Sequence, residues 1–226
     1  VYNLFVPIEI AGGDTSFVEH VWITGPDSFF AFNCSFKPGR VSVDPHYDLF
    51  RRMEPGEIPP TISSVLGDHR SLLVLPSRAE PDARSSYDSI IKQLNRTGEG
   101  IIKADTTVTI ADLKQKSLLV LGGKTENAIF DIMPLPAAVE LDKDGFTIAG
   151  SHYGNPGHSA YITFKNPYNP SKSVCVITGM TADAVEKSGY KIIHYGKYSF
   201  VTFENGNRIS AGILPVEDNP LVYEID

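Results

Sequence analysis

Two short, purely aliphatic runs leave this chain few folding options. One lies in "SLLVLPS", Ser71 to Ser77, and the other in "KSLLVLGG", Lys116 to Gly123. Neither alternates with polar residues, and each is too short for a buried helix. That is the pattern of a strand covered on both faces. Between them, "DARSSYDSIIKQLNRTG" sets Tyr87, Ile90, Ile91 and Leu94 at helical spacing, with a stop at Gly98. "GIIKADTTVT" is a second strand, "IADLKQ" a short helical segment, and "TENAIFDIMP" a short helix ended before Pro134. "SVCVITG" is another buried strand and "TADAVEKSG" another helix. Strands alternating with helices predict an α/β fold: a Rossmann-like three-layer domain with a mostly parallel sheet over residues 63–226. "AAVELDKDGFTIAG", "SAYITFKNP" and the "ENGN" turn add antiparallel strands at its edge.

Residues 1–43 follow a different pattern. Leu4, Val6, Ile8 and Ile10 alternate along one strand, and Val18, Val21, Trp22 and Ile23 mark a second. "FFAFNCSF" and "GRVSVD" continue as further short strands after a "GPDS" turn. These strands bury too little to stand alone and read as the end of a β-sandwich or as a sheet packed on the rest of the chain.

The connector, residues 44–62, is bounded by proline. Asp44 is placed to cap a short helix with Pro45 at its first position, and Pro59 and Pro60 fix the exit. Leu49 and Phe50 are expected to pack inward, and Arg51 or Arg52 to pair with Glu54 or Glu57. The whole reads as a rigid hinge.

Composition narrows the function classes. Hydrophobic residues make up 42%, which supports a core, and the net charge of −7 argues against nucleic acid or an anionic membrane surface as partner. No apolar run approaches the roughly 18 residues of a membrane helix. Cys34 and Cys175 read as buried reduced thiols, and Asn33 and Asn95 head sequons that matter only in a secretory setting. The opening at Val1, directly in strand-like sequence, suggests an excised domain or a trimmed chain. His20, His46, His69, His152, His158 and His194 include no pair one helical turn apart, so a His-Glu-x-x-His zinc motif is absent. His152 and His158 flank one polar loop, and Asp142 and Asp144 sit in a hairpin-type "DKDG" turn. There is no nucleophile elbow, P-loop or Cys-x-x-Cys. No cofactor or metal is implied.

One candidate site remains. A buried strand runs into Gly122 and Gly123, followed by Lys124 and by Thr125 as a candidate helix cap. Gly179 and Thr181 repeat the form after "VCVIT". Backbone N–H groups at such turns favour a small anion, and strand ends are where α/β folds place ligands. The spacing fits neither the dinucleotide fingerprint nor a Walker motif.

"VSVDPHYDLFRRMEPGEIPPTISSVLG" resembles the segment after the last β-sandwich domain of bacterial aminopeptidase-N-like metallopeptidases, through Asp44, Pro45, Phe50, Arg51, Arg52, Glu57, Ile58, Pro59 and Pro60. "SLLVLGGKTENAIF", "FKNPYNPSKSVCVITGMTADAV" and "GKYSFVTFENG" are similar to the α/β domain appended in such hydrolases. The resemblance implies a non-catalytic C-terminal accessory module of a secreted or periplasmic protein, its partners the upstream domains of the same polypeptide. The alternative is a small anionic-ligand-binding α/β domain built on the glycine turns.

Overall fold

The computed structural model describes residues 3–95, 100–216 and 219–225. Its chain divides into two units, Val1–Ile58 with Val216–Asp226, and Pro59–Pro215.

In the first unit, β1 (Leu4–Gly12) and β2 (Thr15–Ile23) form an antiparallel hairpin whose turn holds Gly13 at φ 58°. Strand β3 (Arg40–Val43) pairs with the other side of β1. Val6, Ile8 and Ile10 are buried beneath Phe17, Val21, Phe32, Cys34 and Phe36. "FFAFNCSF" is therefore not a strand. It keeps a period of two, but its backbone crosses the face of the sheet rather than joining a ladder. The crossing is close: a Cβ on Gly12 would lie 2.1 Å from the Lys37 carbonyl oxygen. The chain's last described strand, β14 (Val222–Glu224), returns here and pairs with β3, giving the order β14-β3-β1-β2. The α/β unit thus ends at Pro215 rather than continuing to residue 226.

The connector departs from the expected helix. Asp44 and Tyr47 adopt left-handed backbone conformations, φ 53° and 58°, which an α-helix does not accommodate. Asp44 Oδ1 accepts the backbone N–H groups of Asp48 (2.7 Å) and Leu49 (3.2 Å), taking donors a helix would need. Its other oxygen accepts from Arg51 Nε at 2.8 Å, and the same guanidinium reaches Glu57 at 2.6 Å. Asp44 and Glu57 are each only 2% exposed, so Arg51 bridges two buried carboxylates. Glu54 and Glu57 bracket a 3₁₀ turn, Pro55–Glu57, through reciprocal capping bonds. Phe50, expected to be buried, is fully exposed, because the loop held by Asp44 turns that side chain outward. Arg52 is exposed as well, and among the described residues the pairing with the connector's carboxylates falls to Arg51.

The second unit is a mixed α/β fold of three layers. It opens with α1 (Ile62–Leu66) and β4 (Leu72–Leu75). Next come α2 (Pro81–Leu94), β5 (Ile101–Ala104), α3 (Ile110–Gln115) and β6 (Leu118–Leu121). A three-stranded sheet follows, β7 (Val139–Asp142), β8 (Gly145–Ile148) and β9 (Ser151–Tyr153). The unit closes with β10 (His158–Asn166), β11 (Asn169–Gly179), α4 (Ala182–Gly189), β12 (Phe200–Glu204) and β13 (Asn207–Gly212).

Its central sheet runs β13-β12-β10-β11-β6-β4-β5. The pairs β11–β6, β6–β4 and β4–β5 are parallel; β10–β11, β10–β12 and β12–β13 are antiparallel. The expected mostly parallel sheet is therefore half antiparallel. Helical crossovers join β4, β5 and β6, and α4 carries the chain from β11 past β10 to β12, while the short "NPYN" and "ENGN" turns can connect antiparallel neighbours alone. Asn205 and Gly206, at φ 50° and 77°, make the second turn as its composition predicts.

Leu73, Leu119, Ile177 and Val201 face α1, α2 and α4 through Ile62, Tyr87, Ile90 and Val185. Leu72, Val74, Leu118, Val120 and Val176 face α3 and the small sheet through Leu113, Leu141, Phe146 and Ile148. Burial on both sides explains the uninterrupted aliphatic runs. The α2 periodicity holds, but the Gly98 stop and the Asn95 sequon's Arg96 and Thr97 lie outside the described residues. Among the described residues no helix is long and apolar enough to cross a membrane.

Candidate functional site

The carboxyl ends of β4, β6 and β11 open into a crevice of about 510 Å³. The chain order explains its place. From β4 the chain goes to β5 on one side, then crosses back to β6 on the other. The βα connections diverge between β4 and β6, and such a divergence leaves a cleft at strand ends.

Each predicted residue can be located. Gly122 adopts φ 88° and donates its N–H to the Ile177 carbonyl at 2.8 Å, closing the β6 end onto β11. Gly123, Thr125, Gly179 and Thr181 line the crevice, whereas Lys124 does not and is exposed. Thr181 caps α4 as expected, accepting from the Ala184 N–H at 3.2 Å. Thr125 caps nothing. Glu126 and Asn127 both donate their N–H groups to the Gly123 carbonyl, making one tight turn. The following 3₁₀ turn, Ala128–Asp131, is capped instead by Asn127, which also donates to the Leu121 carbonyl at 2.8 Å. The short helix after the glycines is thus a single 3₁₀ turn.

The N–H of Gly123 is already used. It donates to Glu126 Oε2 at 3.0 Å, and the Tyr87 hydroxyl donates to the same oxygen at 2.9 Å. Burial, reinforced by the Glu126 carboxylate, raises the Tyr87 phenol well above its ordinary range and keeps it a donor. The protein's own carboxylate occupies the place where a turn of this kind would hold an anion. The surrounding charge has the same sign: Glu80, Asp82, Glu126, Asp142 and Asp183 line the crevice against Lys143. Tyr87, Leu141, Phe146 and Met180 supply apolar wall.

Tight packing fixes the rim. A Cβ on Gly179 would lie 2.8 Å from Val185 Cγ2, so this glycine lets α4 close on the sheet. A Cβ on Gly123 would lie 3.0 Å from the Thr178 hydroxyl oxygen. Asp105, at the end of β5, accepts the N–H groups of Ser77 (3.0 Å) and Ala128 (2.6 Å), tying the β4 and β6 loops together. Burial would raise its pKa, but those backbone donors outweigh it and hold the carboxyl below the usual range.

Sequence reasoning missed Tyr87 and Glu126 as parts of the site. Glu126 carried a readable signal, since a carboxylate three residues after a turn glycine can bond back to its N–H. Tyr87 looked only like a core residue of α2.

Among the described residues no three His, Cys, Asp or Glu side chains are grouped to hold a metal ion. Cys175 is wholly buried, and burial pushes its thiol up to about 12. Asp142 and Asp144 belong to the β7–β8 hairpin as expected, joined by a two-residue turn. His152 and His158 lie apart in role: His152 approaches the Thr147 hydroxyl at 3.4 Å, and His158 accepts the Asn155 N–H at 3.0 Å. The chain matches no model of a known protein family, and no curated protein matches it.

Proposed function

We propose that this chain is a non-catalytic accessory region of a secreted or periplasmic aminopeptidase-like protein, packed against preceding domains of the same polypeptide. The observation that carries the reading is the outer face of the four-stranded sheet. Phe5 stacks on His20 and also lies 4.9 Å, centroid to centroid, from the Trp22 ring. Trp22 is 59% exposed and Phe5 48%, with Val18 beside them. This aromatic row spans β1 and β2, and β2 is an edge strand of nine residues with no proline or lysine to discourage pairing. Apolar surface next to an open edge supports an interdomain contact. The α/β unit reads further as a Rossmann-like variant, supported by the parallel β5-β4-β6 core with α2 and α3 on opposite faces. The test is direct: the purified chain should hydrolyse no aminoacyl anilide and retain no zinc after dialysis. One zinc per chain with chelator-sensitive peptidase activity overturns the proposal.

A further inference from the structure

We propose that the turn at residues 155–158 is an acid-sensitive latch, closed by neutral His158 and released when that imidazole takes a proton. The turn joins β9 to β10. The Asn155 carbonyl accepts the His158 N–H at 2.9 Å, and Pro156 presets the second position. The imidazole closes the same turn from the side: Nδ1 accepts the Asn155 N–H at 3.0 Å. A backbone amide only donates, so this bond requires Nδ1 to carry no proton, and the neutral ring holds its proton on Nε2. His158 is buried, so little water is at hand to replace the bond.

Protonation sets two donors against each other. A charged ring carries an N–H on Nδ1 that faces the Asn155 N–H, and the attraction becomes a repulsion. Three elements bear on the ring. Strand β12 brings the Glu204 carboxylate to 3.8 Å from Nε2, and β9 sets the Tyr153 ring edge-on at 5.6 Å. Just after β11, Met180 donates its N–H to the His158 carbonyl and adds no charge. Glu204 favours the cation, but its side chain is half-exposed and beyond hydrogen-bond reach, so water screens that attraction. The buried bond from Asn155 decides the outcome. The latch is closed while the ring is neutral and is lost as pH falls through the ring's titration.

The partners of the turn set how far its release carries. The Thr181 hydroxyl donates to the Pro156 carbonyl at 2.9 Å and accepts the Ala184 N–H that begins α4. The Asn205 N–H donates to the Gly157 carbonyl at 2.8 Å, and a Cβ on Gly157 would lie 2.5 Å from Asn205 Oδ1. Met180 and Thr181 line the crevice. Opening the turn therefore loosens the cap of α4, the β12–β13 turn and one rim of the crevice together.

The experiment follows the whole chain by NMR from about pH 8 to about pH 4.5, which spans ordinary imidazole titration. The Asn155 amide should shift in step with the His158 ring nitrogens. Its exchange protection, corrected for the intrinsic pH dependence, should fall by about tenfold, as the loss of one buried hydrogen bond. Thr181 and Asn205 should follow, and Leu119 in the sheet should not. His158→Asn, whose side-chain oxygen accepts without titrating, should keep the turn closed throughout, and Glu204→Gln should leave the response in place. An Asn155 amide that stays still while the ring titrates, or a ring still neutral at the acid end, overturns the proposal. A response that survives His158→Asn, or disappears in Glu204→Gln, overturns it equally. Should His158→Asn fail to fold, the titration of the unaltered chain and of Glu204→Gln decides.

Discussion

Replacing Arg51 by alanine should unfold the first unit far more readily than removing the bulkier Phe50. Arg51 holds two carboxylates that are each 2% exposed, at 2.8 and 2.6 Å. Without it, two like charges remain buried and face each other uncompensated. Breaking a buried pair in this way costs about 3–5 kcal/mol. The lower end applies, about 3 kcal/mol, since each carboxylate keeps some backbone donors. Asp44 retains the N–H groups of Asp48 and Leu49, and Glu57 that of Glu54. Phe50→Ala, at a fully exposed position, should stay within about 0.5 kcal/mol. The assay is urea unfolding followed by tryptophan emission. Trp22 is the protein's only tryptophan and lies on β2, so the signal reports the first unit alone. Acid adds a check. The Arg51 hydrogen bond holds the Glu57 carboxyl below its ordinary value, so its stabilisation is full above that value and is lost as pH falls through the lowered one. Arg51→Ala should remove this part of the acid sensitivity. If Phe50→Ala shifts the midpoint more than Arg51→Ala does, the account of the connector is wrong.

Three further outcomes are expected. Ellman's reagent should modify Cys34, which is partly exposed, and reach Cys175 only after denaturation, because burial pushes that thiol up to about 12; two fast native thiols would contradict this. Asp112 should titrate at about 2 by carboxyl NMR, chiefly through its bond from Lys103, so its contribution holds above the unfolded carboxylate value and disappears as pH falls toward 2; Lys103→Met should raise that midpoint. Tyr87→Phe should cost the second unit about 1–2 kcal/mol, read by circular dichroism, since it strips one of two donors from Glu126 Oε2.

Much of the second unit was legible because its signals are local and strong. The runs Leu72–Leu75 and Leu118–Leu121 are aliphatic throughout because helices and a second sheet cover both faces. The Tyr87, Ile90 and Ile91 spacing shows α2 for the same reason. The antiparallel character of "SAYITFKNP" was legible but its place was not, since β10 lies inside the central sheet between β12 and β11 rather than at its edge. "FFAFNCSF" failed because a period of two is produced equally by a strand in a ladder and by a chain lying across one. The connector failed for a different reason. Whether Asp44 caps a helix or folds its carboxylate onto Arg51 depends on Glu57, thirteen residues away, and no short-range pattern carries that information. In the crevice, the glycines were readable but their preference was not, because the sign of the site depends on carboxylates from α2, the β7–β8 hairpin and α4 that only the fold brings together.

The central claim is the proposal that a preceding domain of a longer polypeptide covers β2. In the isolated chain, the β2 amides that point away from β1 face an open edge, so they should exchange rapidly with solvent. Hydrogen exchange followed by mass spectrometry should be run on this chain alone and on the longer polypeptide to which the proposal assigns it. The account predicts strong added protection across Thr15–Ile23 in the longer protein, with Phe5→Ser and Trp22→Ser reversing it while leaving the isolated chain folded. Equal exchange of Thr15–Ile23 in both forms would contradict the accessory-module reading.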